Sequence, residues 1–215
     1  MSKSKGNIID PLALIDQYGA DALRFTLTSQ AAQGRDVKLS ESRVEGNRNF
    51  CTKIWNAARF CEMNGCHPVA GFDPALPKLA VNRWIIGKLK EATDGTAQAI
   101  ESYRYNDVAD VLYHFTWGTF CDWYLELTKP ILQNDEDGDD SEAKIETRAT
   151  TAWVLDQLLH LLHPVMPYMT EELWQQLDSD RDYSLILGNW PELGDELVDT
   201  DANAQMDWLV RLITA

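Results

Sequence analysis

Apolar residues recur every three to four positions along most of the chain, the spacing of helices that bury one side. Behind the pair Asp10-Pro11, the stretch "PLALIDQYGADALRFTLTS" places Leu12, Ile15, Ala22 and Phe25 in that rhythm. Asp before Pro is a helix start, because the carboxylate caps free amides and proline fills the first turn without losing a bond. "QGRDVKLSES" interrupts the pattern. The spacing predicts a second helix from about Ser40 to Asn64, stopped by Gly and Pro in "NGCHPVAGFDPALP". A third helix is expected from about Lys78 to Tyr103, a fourth from about Asn106 to Leu132 and a fifth from about Glu142 to His163. A short sixth should start near Thr170 with Glu171 and Glu172 in its first turn, Pro164 and Pro167 breaking the chain before it. "YSLILGNWP" reads as a strand or an extended clasp, and "DANAQMDWLVRLITA" as a last helix without a stop. The fold class expected is all-α: an antiparallel bundle of long helices preceded by a smaller helical piece.

Composition narrows the classes. With 215 residues and 45% hydrophobic content the chain can bury a sizeable core. Runs such as "WVLDQLLHLLHP" are interrupted well before the roughly 18 residues of a spanning helix, and no apolar leader follows Met1, so a cytoplasmic protein away from membranes is expected. Cys51, Cys61, Cys66 and Cys121 are too irregular for a disulfide framework. Cys61, Cys66 and His67 form a possible metal corner, but a second ligand pair at suitable spacing is missing, and no metal site is expected. "NDEDGDDSE" is a solvated acidic loop.

The net charge of −15 argues against nucleic acid until it is divided along the chain. Residues 1–60 carry nine Lys/Arg against six Asp/Glu, and the remainder ten against twenty-eight. Any polyanion that binds should therefore be confined to the basic N-terminal portion. The second helix carries a feature to match. At 100° per residue, Phe50, Cys51, Ile54, Ala57, Ala58 and Cys61 form a core stripe, while Asn49, Lys53, Asn56 and Phe60 make one row on the polar side, with Arg48 and Arg59 nearby. Amides for base edges, a cation for phosphate and one flat ring for stacking are what unpaired nucleotides need. The competing expectation is a Phe60 ring packed under the next loop, against Pro68 or Phe72, beside merely solvated polar groups. The opening "SKSKGN" is not a phosphate-binding P-loop, since the Gly-Lys-Ser/Thr order is absent. Its two lysines on a loop of small residues can reach triphosphate oxygens.

Loop, helix start and basic helix occur in an order that resembles a known family. "MSKSKGN" followed by "IIDPLALIDQYGADALRFTL" resembles the mobile Lys-Met-Ser-Lys-Ser (KMSKS) signature of class I aminoacyl-tRNA synthetases, without its leading lysine. "GRDVKLSESRVEGNRNFCTKIWNAARF", "YRYNDVADVLYHFTWGTFCDWYLELTKP" and "LLHPVMPYMTEELWQQL" are similar to the valyl branch, over essentially the whole chain.

The resemblance implies a division of labour. Residues 1–40 would be the signature loop and a stem-contact linker helix, and residues 41–215 the helical bundle that binds the anticodon of tRNA(Val). By the family pattern Lys3 is the catalytic lysine, with Ser2, Lys3, Ser4 and Lys5 forming the ATP-binding loop. Arg43, Arg48, Asn49, Lys53, Asn56, Arg59 and Phe60 are the candidate anticodon contacts. ATP, Mg²⁺ and valine would be used only by the full ligase, because no His-x-Gly-His motif or Gly-rich strand-to-helix turn of a nucleotide-binding domain occurs here. Starting inside the signature and ending without a helix stop read as an excised piece, expected to be monomeric, to need no cofactor and to bind tRNA without charging it. Two alternatives stay open: a helical scaffold for a protein partner, and the equivalent piece of an isoleucyl or leucyl relative. Trp117, Phe120, Trp123 and Tyr124 are expected in the core, and His160 and His163 in packing or capping roles.

Overall fold

The Asp10 side chain accepts from the Leu12 amide at 3.0 Å with Pro11 in the first turn, opening α1 (Pro11–Tyr18). The computed structural model describes residues 9–34, 36–134 and 141–214. Gly19, at φ 90°, divides the single helix expected over residues 11–29 into α1 and α2 (Ala20–Ser29). A residue with a Cβ would be strained in that conformation, so the break is written in the glycine.

The next helices fall close to their expected bounds: α3 (Glu41–Met63), α4 (Ala80–Glu101) and then a continuous helix from 105 to 132. That last helix is α5 (Tyr105–Tyr113), a π-helical stretch (His114–Tyr124) and α6 (Leu125–Leu132). Sequence periodicity assumed one winding throughout; the wider π turns span the aromatic run "HFTWGTFCDWY". Then come α7 (Glu142–Leu162), α8 (Pro167–Leu177) and α9 (Thr200–Thr214). No strand occurs among the described residues. The stretch read as strand or clasp is a short 3-10 turn at Leu185–Leu187, with Leu185 buried and its amide donating to Glu171 at 3.2 Å.

One apolar core runs through α3 to α9, with Phe50, Ile54, Leu89, Leu112, Phe120, Leu155 and Leu158 almost wholly buried. Of the predicted core stripe of the second helix, Phe50, Ile54, Ala57, Ala58 and Cys61 are buried, whereas Cys51 is only partly buried and packs against the edge of the core. A smaller cluster joins Leu14 of α1, Ala22 and Leu23 of α2 and Val44 of α3. Phe25 of α2 crosses into the main core and meets Phe50 at 4.8 Å. α1 and α2 are therefore packed against the later helices.

Polar groups on distant elements close the helix ends. Glu146 of α7 accepts from the Lys78 and Leu79 amides at 2.9 Å each and from Asn82 Nδ2 at 2.9 Å, capping α4. Asn82 belongs to a buried network: Tyr124 Oη donates to its Oδ1 at 3.0 Å and shares a 2.9 Å hydrogen bond with Thr151 Oγ1. Phe120 and Tyr124 are core residues, whereas Trp117 and Trp123 lie half-buried against the core.

The corner between α7 and α8 corrects one expectation. α8 starts at Pro167, a turn earlier than predicted, because proline supplies the first helical position there and does not break the chain. Glu171 and Glu172 therefore lie beyond the first turn. The carboxylate at that helix end is Asp21 of α2, which accepts from the amides of Tyr168 at 3.3 Å and Met169 at 2.6 Å. Burial pushes the Asp21 carboxyl above its ordinary range, against the pull of those donors. One turn along, Arg24 donates to the carbonyls of Val165 at 2.9 Å and Pro164 at 3.0 Å. His160 Nδ1 contacts the Asp156 carbonyl at 2.9 Å, and His163 Nδ1 the Thr170 hydroxyl at 2.8 Å, the packing and capping roles expected.

Candidate nucleic-acid interface

α3 ends in a way that explains its cysteines. The Cys66 amide donates to the Cys61 carbonyl at 2.9 Å and the Gly65 amide to the Glu62 carbonyl at 3.0 Å, with Gly65 at φ 71°. This is the paired-bond helix stop that needs a left-handed glycine and brings two apolar side chains together across it. Cys61 and Cys66 are those side chains, both buried. Arg148 of α7 adds a cation at the same end, donating from Nε to the Asn64 carbonyl at 2.8 Å. The Cys66 sulfur beside it, and burial, push the Cys61 thiol up; burial raises Cys121 to about 12. Among the described residues no group of three or more His, Cys, Asp or Glu is arranged to hold a metal ion.

The stop fixes the last turns of α3, and with them the polar row. Asn49 and Asn56 are exposed, Lys53 is partly exposed and Phe60 is half-buried. Arg48 and Arg59 are exposed farther around the helix, and Arg43 is exposed near its start. The structure thus brings Lys53, Asn56 and Phe60 to one place and leaves the three arginines at its margins. Phe60 packs against the core and borders the same cleft as Leu125 and Lys129 of α6, while Phe72 packs on Trp153 at 5.7 Å.

Between α3 and the facing helix lies a cleft of about 140 Å³ lined by Lys53, Asn56, Phe60, Leu125, Glu126 and Lys129. Lys129 Nζ lies 5.9 Å from the Phe60 ring centre and Lys53 Nζ 5.3 Å from that of Trp117. Lys53 also pairs with Asp122 at 2.7 Å, and that carboxylate raises the lysine above its ordinary range despite partial burial. Lys129 pairs with Glu126 at 2.6 Å. Sequence reasoning missed Asp122, Glu126 and Lys129. Their spacing of four and three was a visible signal that one side of the fourth helix carries charge, though not that it faces α3. Ser2, Lys3, Ser4 and Lys5 lie outside the described residues.

The family model described as "Anticodon-binding domain of tRNA ligase" matches residues 82–215, and the chain belongs to that family. A second model, "tRNA synthetases class I (I, L, M and V)", matches residues 1–40, so α3 falls between the two matches. Among individual proteins, the chain is 54% identical over its whole length to valine–tRNA ligase of Zymomonas mobilis and 56% identical to that of Brucella suis. It is 58% identical over 89% of its length to that of Bradyrhizobium diazoefficiens. The chain spans about a quarter of the length of these relatives, between 19% and 24%. A solved structure, the agnB2 LeuRS of Agrobacterium radiobacter K84 in a ternary complex with tRNA and LeuAMS, has the same fold. Its TM-score is 0.71 at 21% identity, over 93% of this chain and 23% of that one.

Proposed function

We propose that this chain is the anticodon-reading part of a valine–tRNA ligase and grips the tRNA(Val) anticodon arm along α3. Phe60 stacks on an unpaired base, Asn56 and Asn49 offer hydrogen bonds to base edges, and Lys53, Arg43, Arg48 and Arg59 meet phosphates or base edges. The observation that carries this reading is the Phe60 ring: it is half-buried, not sealed in the core, and it borders a cleft of about 140 Å³ beside Asn56, Lys53 and Lys129.

The whole ligase joins valine to tRNA(Val) at the expense of ATP, with Mg²⁺. That chemistry belongs to the rest of the enzyme and to Ser2, Lys3, Ser4 and Lys5, with Lys3 acting on the pyrophosphate charge of the activation step. No step is assigned to the described residues, whose carboxylates and histidines are not grouped as metal ligands. The chain by itself binds tRNA as a monomer and carries out neither aminoacylation nor pyrophosphate exchange. Its working place is the cytoplasm; among the described residues no helix is long and apolar enough to cross a membrane.

The test is a binding titration of the chain with tRNA(Val) and with the same tRNA carrying a swapped anticodon, at about 50 and 200 mM salt. Tighter binding of the parent tRNA, falling steeply with salt, is expected. Equal binding of both, or binding indifferent to salt, overturns the reading.

A further inference from the structure

Both lysines that face the α3 cleft are already engaged by carboxylates of this chain. Lys53 Nζ is 2.7 Å from Asp122 Oδ1, and Lys129 Nζ is 2.6 and 2.7 Å from the two oxygens of Glu126. A carboxylate presents the same charged acceptor oxygens that an RNA phosphate would offer to an ammonium group. The pairs are not buried: the side chains of Lys53 and Asp122 are 33% and 45% exposed, and those of Lys129 and Glu126 39% and 57%. Pairs this exposed are weak and exchange readily. They are partners that another anion can replace, not a permanent structural lock.

We propose that Asp122 and Glu126 act as internal competitors for the RNA backbone at this cleft. They hold Lys53 and Lys129 against polyanions in general. A phosphate gains these lysines only when an unpaired base enters the cleft at the same time and stacks on Phe60, because the stacking offsets the loss of the two pairs. Double-stranded RNA has phosphates but no free base to insert, and is turned away. Every RNA that takes the lysines must displace the carboxylates, so these lower the hold of all polyanions on the cleft, and only a ligand that also stacks offsets the cost. Placement supports the assignment: Glu126 and both lysines line the cleft itself, and Lys129 lies over the very ring that would do the stacking. The inference rests on the reading of α3 as the RNA-binding row.

The test uses the full chain and two RNAs, an anticodon stem-loop with an open loop and a blunt duplex of equal charge. Four variants are compared with the parent: Asp122→Asn, Glu126→Gln, the two together, and Asp207→Asn, at an exposed position of α9, as a control with the same charge change as the first. Circular dichroism and thermal midpoints establish that each is folded. The double variant should bind the duplex about twofold to tenfold more tightly, and the stem-loop more tightly by at least as much, because both must displace the same carboxylates. Its dependence of log affinity on log salt for the duplex should steepen by about 0.9 for each lysine released. Asp207→Asn should change neither the duplex affinity nor the slope. An unchanged duplex affinity and slope in the double variant overturns the proposal. So does weaker stem-loop binding with an unaffected duplex, which would make the carboxylates base readers. Phe60→Ala separates this failure from the other: if that variant and the parent bind the stem-loop no better than the duplex, RNA reading along α3 fails as well.

Discussion

The Asp21 carboxylate of α2 accepts a 2.6 Å hydrogen bond from the Met169 amide at the start of α8, 148 residues away in the chain. Together with the 3.3 Å bond from Tyr168 it satisfies two of the amides that a helix start leaves free. Arg24, on the same side of α2, donates to the carbonyls of Pro164 and Val165 just past the end of α7. One short helix thus binds the positive end of α8 with an acid and the turn after α7 with a base.

Replacing Asp21 by Ala should destabilise the protein by about 1–3 kcal/mol, since two amides lose their partner at a residue only 6% exposed. Urea denaturation followed by circular dichroism measures this. Asp21→Asn, which keeps one acceptor oxygen, should lose less than half as much.

Tyr124→Phe should cost about 1–2 kcal/mol without altering the fold, because the hydroxyl that links Asn82 to Thr151 is fully buried. The same denaturation curves apply, and an unchanged slope would show that the unfolding reaction itself is unaltered.

Phe60→Ala should weaken tRNA binding about tenfold to a hundredfold, the loss of one stacking contact of roughly 1–3 kcal/mol. Phe60→Tyr, which keeps a flat ring, should stay within about threefold of the parent. Fluorescence anisotropy at low salt distinguishes them. Equal binding by the alanine variant removes the ring from the interface.

His163 predicts a pH effect. Burial lowers it below its ordinary range, against the nearby charge of Glu171, so the folded protein favours the neutral ring. The unfolded chain takes up the proton first as pH falls. The stability contribution is therefore present above the ordinary histidine range and is lost as pH drops through about 6.5 toward the lowered folded value. Thermal midpoints of the parent and His163→Gln, measured between about pH 5 and 7.5, should diverge least at the acid end.

The contrast between what was legible and what was not follows the range of the interactions. Asp10-Pro11, the Gly and Pro stops after Asn64 and the stripe from Phe50 to Cys61 act within a turn or two, and the helices they imply are present. Gly19 was visible, but a single glycine is tolerated inside many helices, and only its φ of 90° shows that this one is a break. Nothing near Pro167 says that Asp21 will arrive to cap it, and nothing near Leu79 announces Glu146. The site divides in the same way. Helical geometry placed Asn49, Lys53, Asn56 and Phe60 in one row from sequence alone. That Lys53 would meet Asp122, 69 residues on, required the π-helical stretch to be packed against α3 first.

The stop at the end of α3 has a use outside the cell. Cys61 and Cys66 are 0% and 1% exposed, so an alkylating reagent can reach either sulfur only after the final turn has unwound. The rate at which iodoacetamide modifies them becomes a clock for the breathing of the segment that carries Phe60. An RNA that settles on that segment should slow the clock, recording its arrival with no label attached.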